Sequence, residues 1–304
     1  MVGCGRRDLD YAPRMAALLS DTMRTMLDGW RADLAPAWSQ ALAGVEPDLG
    51  AVRADLALGD GEVVFPGRKG RPPAGARPDA HVFRALDRIA PADVRVVVMG
   101  QDPYTRVEQA TGRSFEQGDL ADWLGQPKVT PSLRRIVQAL ARRRTGERSY
   151  LDGQGGWGRV VSDIRSGALA IEDPRGLWDR WQRQGVVFLN AILTFNRFEP
   201  DFQFRGHQPL WRPILVRLLD ALVRRSEGAL VCVAWGGKAA DAIRSARVEE
   251  SARAAGAWQT RTRIVTGAHP NAFGAPPPFF AGSGDPLQDV NHALVAMGGK
   301  AVDW

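Results

Sequence analysis

Four short, nearly unbroken apolar runs divide the chain: 94–99 (Val94, Val96, Val97, Val98 and Met99 around Arg95), 186–189, 230–234 and 263–266. They are rich in β-branched residues and end at small or polar ones, so they read as strands buried on both faces; half-exposed strands would alternate strictly. Between them the apolar positions take helical spacing. Thr130 and Pro131 supply a helix start, after which Leu133, Ile136, Val137 and Leu140 share a face, and Arg142, Arg143 and Arg144 suit a helix C-terminus. Further helical patterns cover 211–223 and 238–246. Strands alternating with helices predict an α/β fold, a single domain with a central four-stranded parallel twisted sheet flanked by helices.

The first part of the chain is patterned more weakly. Residues 1–30 read as a lead-in, helical over 15–30 or partly disordered, to a domain spanning 31–304. Trp38, Leu42, Val45, Val52 and Leu56 predict two helical pieces within 35–56, and 63–65 a brief extended segment. The stretch 67–78, GRKGRPPAGARP, reads as a solvated basic loop, and 81–86 as the start of a helix.

Composition narrows the function only partly. The 304 residues are 44% hydrophobic, enough for a large core, and the net charge of +6 permits a polyanionic partner without demanding one. Cys4 and Cys232 are too far apart in sequence to suggest a disulfide framework or a cysteine metal site. No apolar run approaches the ~18 residues of a membrane span, and Arg6, Arg7, Asp8 and Asp10 interrupt any secretory core, so a soluble cytoplasmic protein is expected. The segment 153–158, GQGGWG, fits a dinucleotide pattern but follows no strand, and Gly236-Gly237-Lys238 meets Ala239 where a phosphate-binding loop needs Ser or Thr. Neither supports a nucleotide-dependent enzyme.

Open parallel sheets place ligands beyond the carboxyl ends of their strands. The first run leads to Gly100-Gln101-Asp102-Pro103-Tyr104, the second to Asn190, the third to Trp235-Gly236 and the fourth towards His269-Pro270. Singly, each has an ordinary reading: an Asp-Pro turn, a turn asparagine, a loop histidine. Jointly, at equivalent strand ends, Asp102, Asn190 and His269 bring a carboxylate, an amide and an imidazole to one crevice.

These segments resemble those of the family-1 uracil-DNA glycosylases, from about Trp38 to Trp304. GQDPY at 100–104 resembles the family's water-activating motif, ATGRSF at 110–115 the segment ending in its base-stacking Phe, and TPSL at 130–133 its Pro-Ser phosphate loop. WQRQGVVFLNAILT at 181–194 is the most specific match, and AHPNAF at 268–273, followed by Phe279-Phe280, resembles the histidine and intercalation loop.

The resemblance implies a monofunctional enzyme that hydrolyses the N-glycosidic bond of flipped uracil in single- or double-stranded DNA, working as a monomer without metal or cofactor. Asp102 would orient the water and stabilise the cationic sugar, with the Gln101 backbone nearby. Tyr104 would exclude a thymine methyl, Phe115 stack on the base, Asn190 read its edge and His269 bond to the oxygen that gains charge. Ser132, Gly236 and Gly237 would hold phosphates, with Pro270, Asn271 and Phe273 also on the DNA side. The chain has Thr105 where the family commonly has His, Val107-Glu108 for Pro-Gly, Asn271 for Ser and Phe273 for the wedge Leu. These departures leave base range and sensitivity to the family's phage inhibitor protein open. A glycosylase that also takes hypoxanthine and a catalytically silent DNA-binding relative are the alternatives.

Overall fold

The computed structural model describes residues 16–304 apart from 126–127, 154, 275–276 and 282–283. The four apolar runs become β1 (Val96–Gly100), β2 (Val186–Asn190), β3 (Leu230–Trp235) and β4 (Thr262–Gly267), all parallel, in the order β2-β1-β3-β4. β1, β2 and β3 are buried throughout, as their continuous apolar sequence requires; β4, expected to be buried on both faces, is only part-buried and becomes exposed towards its end, although β2 at the other edge stays buried.

In chain order the helices are α1 (Leu19–Leu27), α2 (Pro36–Ala41), α3 (Pro131–Thr145), α4 (Gly156–Ser166), α5 (Pro174–Arg183), the short turn α6 (Pro200–Phe202), α7 (Gln208–Val223), α8 (Gly237–Ser245), α9 (Val248–Ala254) and α10 (Pro286–Val295). The two-residue period of the strands sorts them into layers. Val97, Met99, Val187, Leu189, Cys232 and Ala234 enter one core with α1, α2, α7, α8 and α9. Val96, Val98, Val186, Phe188, Val231 and Val233 enter the other with α3, α4, α5 and α10.

Several local expectations change. The helix expected over 15–30 is shorter: α1 ends at Leu27, Gly29 takes a left-handed conformation, and a 3₁₀ turn follows at Trp30–Asp33; Met15 lies outside the described residues. Leu19, Met23, Leu27 and Trp30 are all core residues. Residues 81–86 yield only a 3₁₀ turn at Arg84–Leu86, because the His81 and Val82 amides donate to the distant carbonyls of Thr111 and Gly67 instead of starting a helical ladder. The basic loop is solvated only in part: Lys69 and Arg71 are exposed, but Arg68 is not. Arg68 is buried against Asp33 and also donates to the carbonyls of Met26, Asp28 and Gly29, while Lys69 pairs with Asp87 and Arg77 with Asp79. A buried guanidinium needs such a partner set, so most of this loop's charge is committed to the fold.

Gly156, from the rejected glycine pattern, opens α4; a side chain there would stand 2.2 Å from the Tyr150 carbonyl oxygen.

Candidate active site

Strand register sets the site. Gly100 pairs with Asn190 and Trp235 with Gly267, so the segments that leave the sheet start from matched levels. The Ala191 and Ile192 amides donate to the carbonyls of Gly100 and Gln101, at 3.0 and 2.9 Å, and tie the exits of β1 and β2 together. Gly100 is needed for this approach: a Cβ there would lie 2.3 Å from Asn190 Oδ1 and 2.6 Å from Ser114 Cβ.

Above these strand ends is a cavity of about 330 Å³. Its lining includes Gln101, Asp102, Tyr104, Phe115, Asn190 and His269, with Ser132 at the start of α3 and Gly236 and Gly237 at the start of α8. Pro270, Asn271 and Phe273 are not part of the lining; Pro270 is buried, Asn271 is exposed, and Phe273 stands 95% exposed. Arg113, Trp235 and Lys238 line the cavity without having been singled out as site residues from the sequence.

Asp102 is half-buried, and burial pushes its carboxyl up to about 6. A hydrogen bond donated by the Gln203 side-chain amide to Asp102 Oδ2 opposes that rise. Gln203 had no signal in the sequence, because it reaches Asp102 from a segment 101 residues away. The carboxylate is therefore ionised near neutral pH, but in surroundings that solvate it poorly. Such a group gains most when positive charge develops beside it.

His269 sits at the cavity mouth, and partial burial lowers its pKa below the ordinary value. Its Nδ1 accepts the Asn271 amide at 3.1 Å. In the neutral ring the proton is then on Nε2, leaving a neutral N–H donor. Gly236, at φ +95°, permits this placement, since a Cβ there would stand 2.8 Å from His269 Cβ. The α3 and α8 N-termini bring the positive ends of two helix dipoles to the site, a setting suited to anions.

The aromatic wall is held from several sides. The Tyr104 hydroxyl bonds to Thr130 Oγ1 at 2.8 Å and donates to the Phe115 carbonyl at 3.4 Å, and burial pushes the phenol up to about 12, so it stays neutral. Phe115 has φ +58°, a conformation that costs a non-glycine residue roughly 1 to 3 kcal/mol. Its neighbour Ser114 fixes it: the amide donates to the Phe188 carbonyl, the hydroxyl to that of Val98, and Trp178 Nε1 donates to the Ser114 carbonyl. The Phe115 ring lies 6.2 Å from Trp235 and 6.3 Å from His269, centroid to centroid.

Residues 86–282, which carry every strand and all of these groups, match the uracil DNA glycosylase superfamily. The chain belongs to that superfamily. Among its uracil-DNA glycosylase relatives, the Chromobacterium violaceum protein is 31% identical over 280 residues, covering 87% of this chain and 93% of its own. The Nocardioides sp. protein is 32% identical over 273 residues, covering 89% and 93%. The glycosylase fold is shared with the UNG of Nitratifractor salsuginis (TM-score 0.57, 20% identity, 90% of this chain and 96% of that one). It is shared also with mimivirus uracil-DNA glycosylase (TM-score 0.58, 19% identity, 97% and 96%).

Proposed function

We propose that the protein is a monofunctional uracil-DNA glycosylase, which draws a uracil nucleotide out of single- or double-stranded DNA and hydrolyses its N-glycosidic bond to leave an abasic site. The observation that carries this reading is the pairing, in one small cavity, of a poorly solvated carboxylate, Asp102, with a neutral imidazole donor, His269, and the Asn190 amide.

The chemistry follows from these groups. As the bond between the sugar and the base breaks, its electron pair leaves with uracil and positive charge builds on the sugar. Asp102 stabilises that charge, orients the water whose oxygen forms the new bond to the sugar carbon, and takes the proton that this water gives up. The His269 Nε2–H donates to the base oxygen on which negative charge collects. Because uracil leaves as a stabilised anion, one carboxylate and one donor suffice where ordinary glycosidases use two carboxylates.

Recognition uses the rest of the cavity. Phe115 stacks on the base, Asn190 bonds to its amide edge, and Tyr104 occupies the space of a 5-methyl group, with the Gln101 backbone beside the base. Ser132, Gly236 and Gly237 hold phosphates on the two helix N-termini, and Pro270 and Asn271 extend that contact along the strand. Phe273 is the wedge. Together these contacts offset the few kcal/mol of unstacking. Among the described residues no helix is long and apolar enough to cross a membrane; we place the enzyme in the cytoplasm, acting as a monomer.

The test is incubation with oligonucleotides carrying one uracil, hypoxanthine or thymine, followed by alkali. Strand breakage at uracil, seen only after alkali, is expected. Breakage at hypoxanthine would establish the broader base range, and DNA binding with no breakage at all would establish the silent relative. A mimivirus UNG variant has been crystallised in complex with UGI; adding UGI to the same assay measures whether this chain is sensitive.

A further inference from the structure

The segment between α6 and α7 is a π-helical turn, Gln203–His207, which admits an extra residue into the helical ladder and re-aims the side chains on it. Gln203, buried, points from this turn to Asp102. The turn is anchored by a polar chain whose direction is fixed at both ends. Trp211 Nε1 can only donate, and does so to Thr194 Oγ1 at 2.7 Å; the Glu62 carboxylate can only accept, and takes Asn196 Nδ2 at 2.8 Å. Between them the Thr194 hydroxyl donates to His207 Nδ1 and His207 Nε2 donates to Asn196 Oδ1, each at 2.8 Å. Burial holds His207 neutral by lowering its pKa to about 3, so the chain keeps one polarity.

We propose that Gln203 is a positioning residue for the glycosylase reaction: its amide, aimed by the π-helical turn, holds the Asp102 carboxylate in its ionised form and in one orientation. This rests on the reading of Asp102 given above. The other titratable or charged side chains around the cavity and the turn do not substitute for it. Arg113 is paired with Asp179, Arg205 with Asp201, and the Lys238 ammonium stands over the Phe204 ring at 5.3 Å. Tyr104 is bonded to Thr130, His207 is inside the polar chain, and His269 receives the Asn271 amide. Among the described residues, Asp102 takes one side-chain hydrogen bond, from Gln203, beside one from its own backbone amide.

Gln203→Met keeps length and volume but removes the donor. A hydrogen bond to a charged group supports roughly a tenfold to hundredfold effect, so kcat on a single-stranded uracil oligonucleotide should fall by about that factor with KM little changed. The acid limb of the kcat–pH profile should also move up by about one pH unit, because the acid form of Asp102 loses less than its ionised form. Gln203→Glu should move the limb further, since two adjoining carboxylates resist joint ionisation. The same two shifts in a His269→Asn background assign the limb to Asp102 and not to the imidazole.

A kcat lowered equally at every pH, with the limb in place in both variants, would make Gln203 merely structural and overturn the proposal. So would parental kinetics in Gln203→Met. Asp102→Asn, measured alongside, separates the two levels of the argument: an inactive Asp102→Asn with an unaffected Gln203→Met sinks only the inference, whereas a fully active Asp102→Asn sinks the assignment of Asp102 itself. Should Gln203→Met fail to fold, the Gln203→Glu profile decides alone.

Discussion

Replacing Gly100 by alanine adds one methyl group where the exits of β1 and β2 meet. The new Cβ would lie 2.3 Å from Asn190 Oδ1, against about 3.4 Å for ordinary contact, so one of the two must retreat by about 1 Å. The second contact, 2.6 Å to Ser114 Cβ, blocks retreat towards the loop that carries Phe115. Gly100 is held in the sheet beside Asn190, so the Asn190 side chain and the 114–115 backbone yield. Overpacking of this kind costs roughly 1 to 3 kcal/mol, which should lower the melting temperature by several degrees. A misplacement of ~1 Å at a group that holds the substrate, the role proposed for Asn190, costs roughly a hundredfold in rate, so uracil release under single-turnover conditions well below the melting point should fall by about that factor. Adding Asn190→Ala removes the atom in conflict. The double variant should therefore lose less stability than the sum of the single losses, while activity stays low. Parental activity and melting temperature in Gly100→Ala, or strictly additive stability losses, would refute the steric argument.

On its proposed role of excluding a 5-methyl group by overlap, the Tyr104 ring, braced by Thr130, should admit thymine once cut back in Tyr104→Ala; failure to release thymine from a single strand would place the veto in another residue. Asn190→Asp should shift preference towards cytosine, since the amide donor is lost, and mismatched buried polar groups cost about 1 to 3 kcal/mol; unchanged discrimination in competition assays would remove Asn190 from base reading. Phe273→Ala should reduce release from duplex DNA far more than from single strands, with the melting temperature unchanged because the ring is 95% exposed; equal losses on both substrates would put the wedge elsewhere in the loop.

The strands were legible because a sheet covered on both faces needs continuous apolar runs, which few other structures share. Once the runs are parallel, their ends meet, and this alone groups Asp102, Asn190 and His269; all three line the cavity. The N-terminal pieces were harder, since α1 is set by burial of Leu19, Met23 and Leu27 and stopped by Gly29, not by a marked cap. α4 and α5 have clear apolar faces, with Leu177, Trp178 and Trp181 buried on α5, but the first opens on glycines and the second is rich in charge, so neither reads as a helix at its start. The basic loop misled because composition cannot reveal that Asp33, far away in sequence, receives Arg68. Gln203 was invisible for a related reason: its direction depends on a π-helical turn, which no local periodicity encodes.

The positive φ of Phe115 sets two demands on one position. The backbone there favours glycine or asparagine, which accept the left-handed region readily, while the stacking role proposed for the side chain calls for a broad aromatic face. A library randomised at 115 should therefore split by the way it is screened. Selection for heat resistance would enrich glycine and asparagine, and selection for excision would enrich aromatic side chains. β-branched residues, which suit neither the conformation nor the stacking, would vanish from both pools.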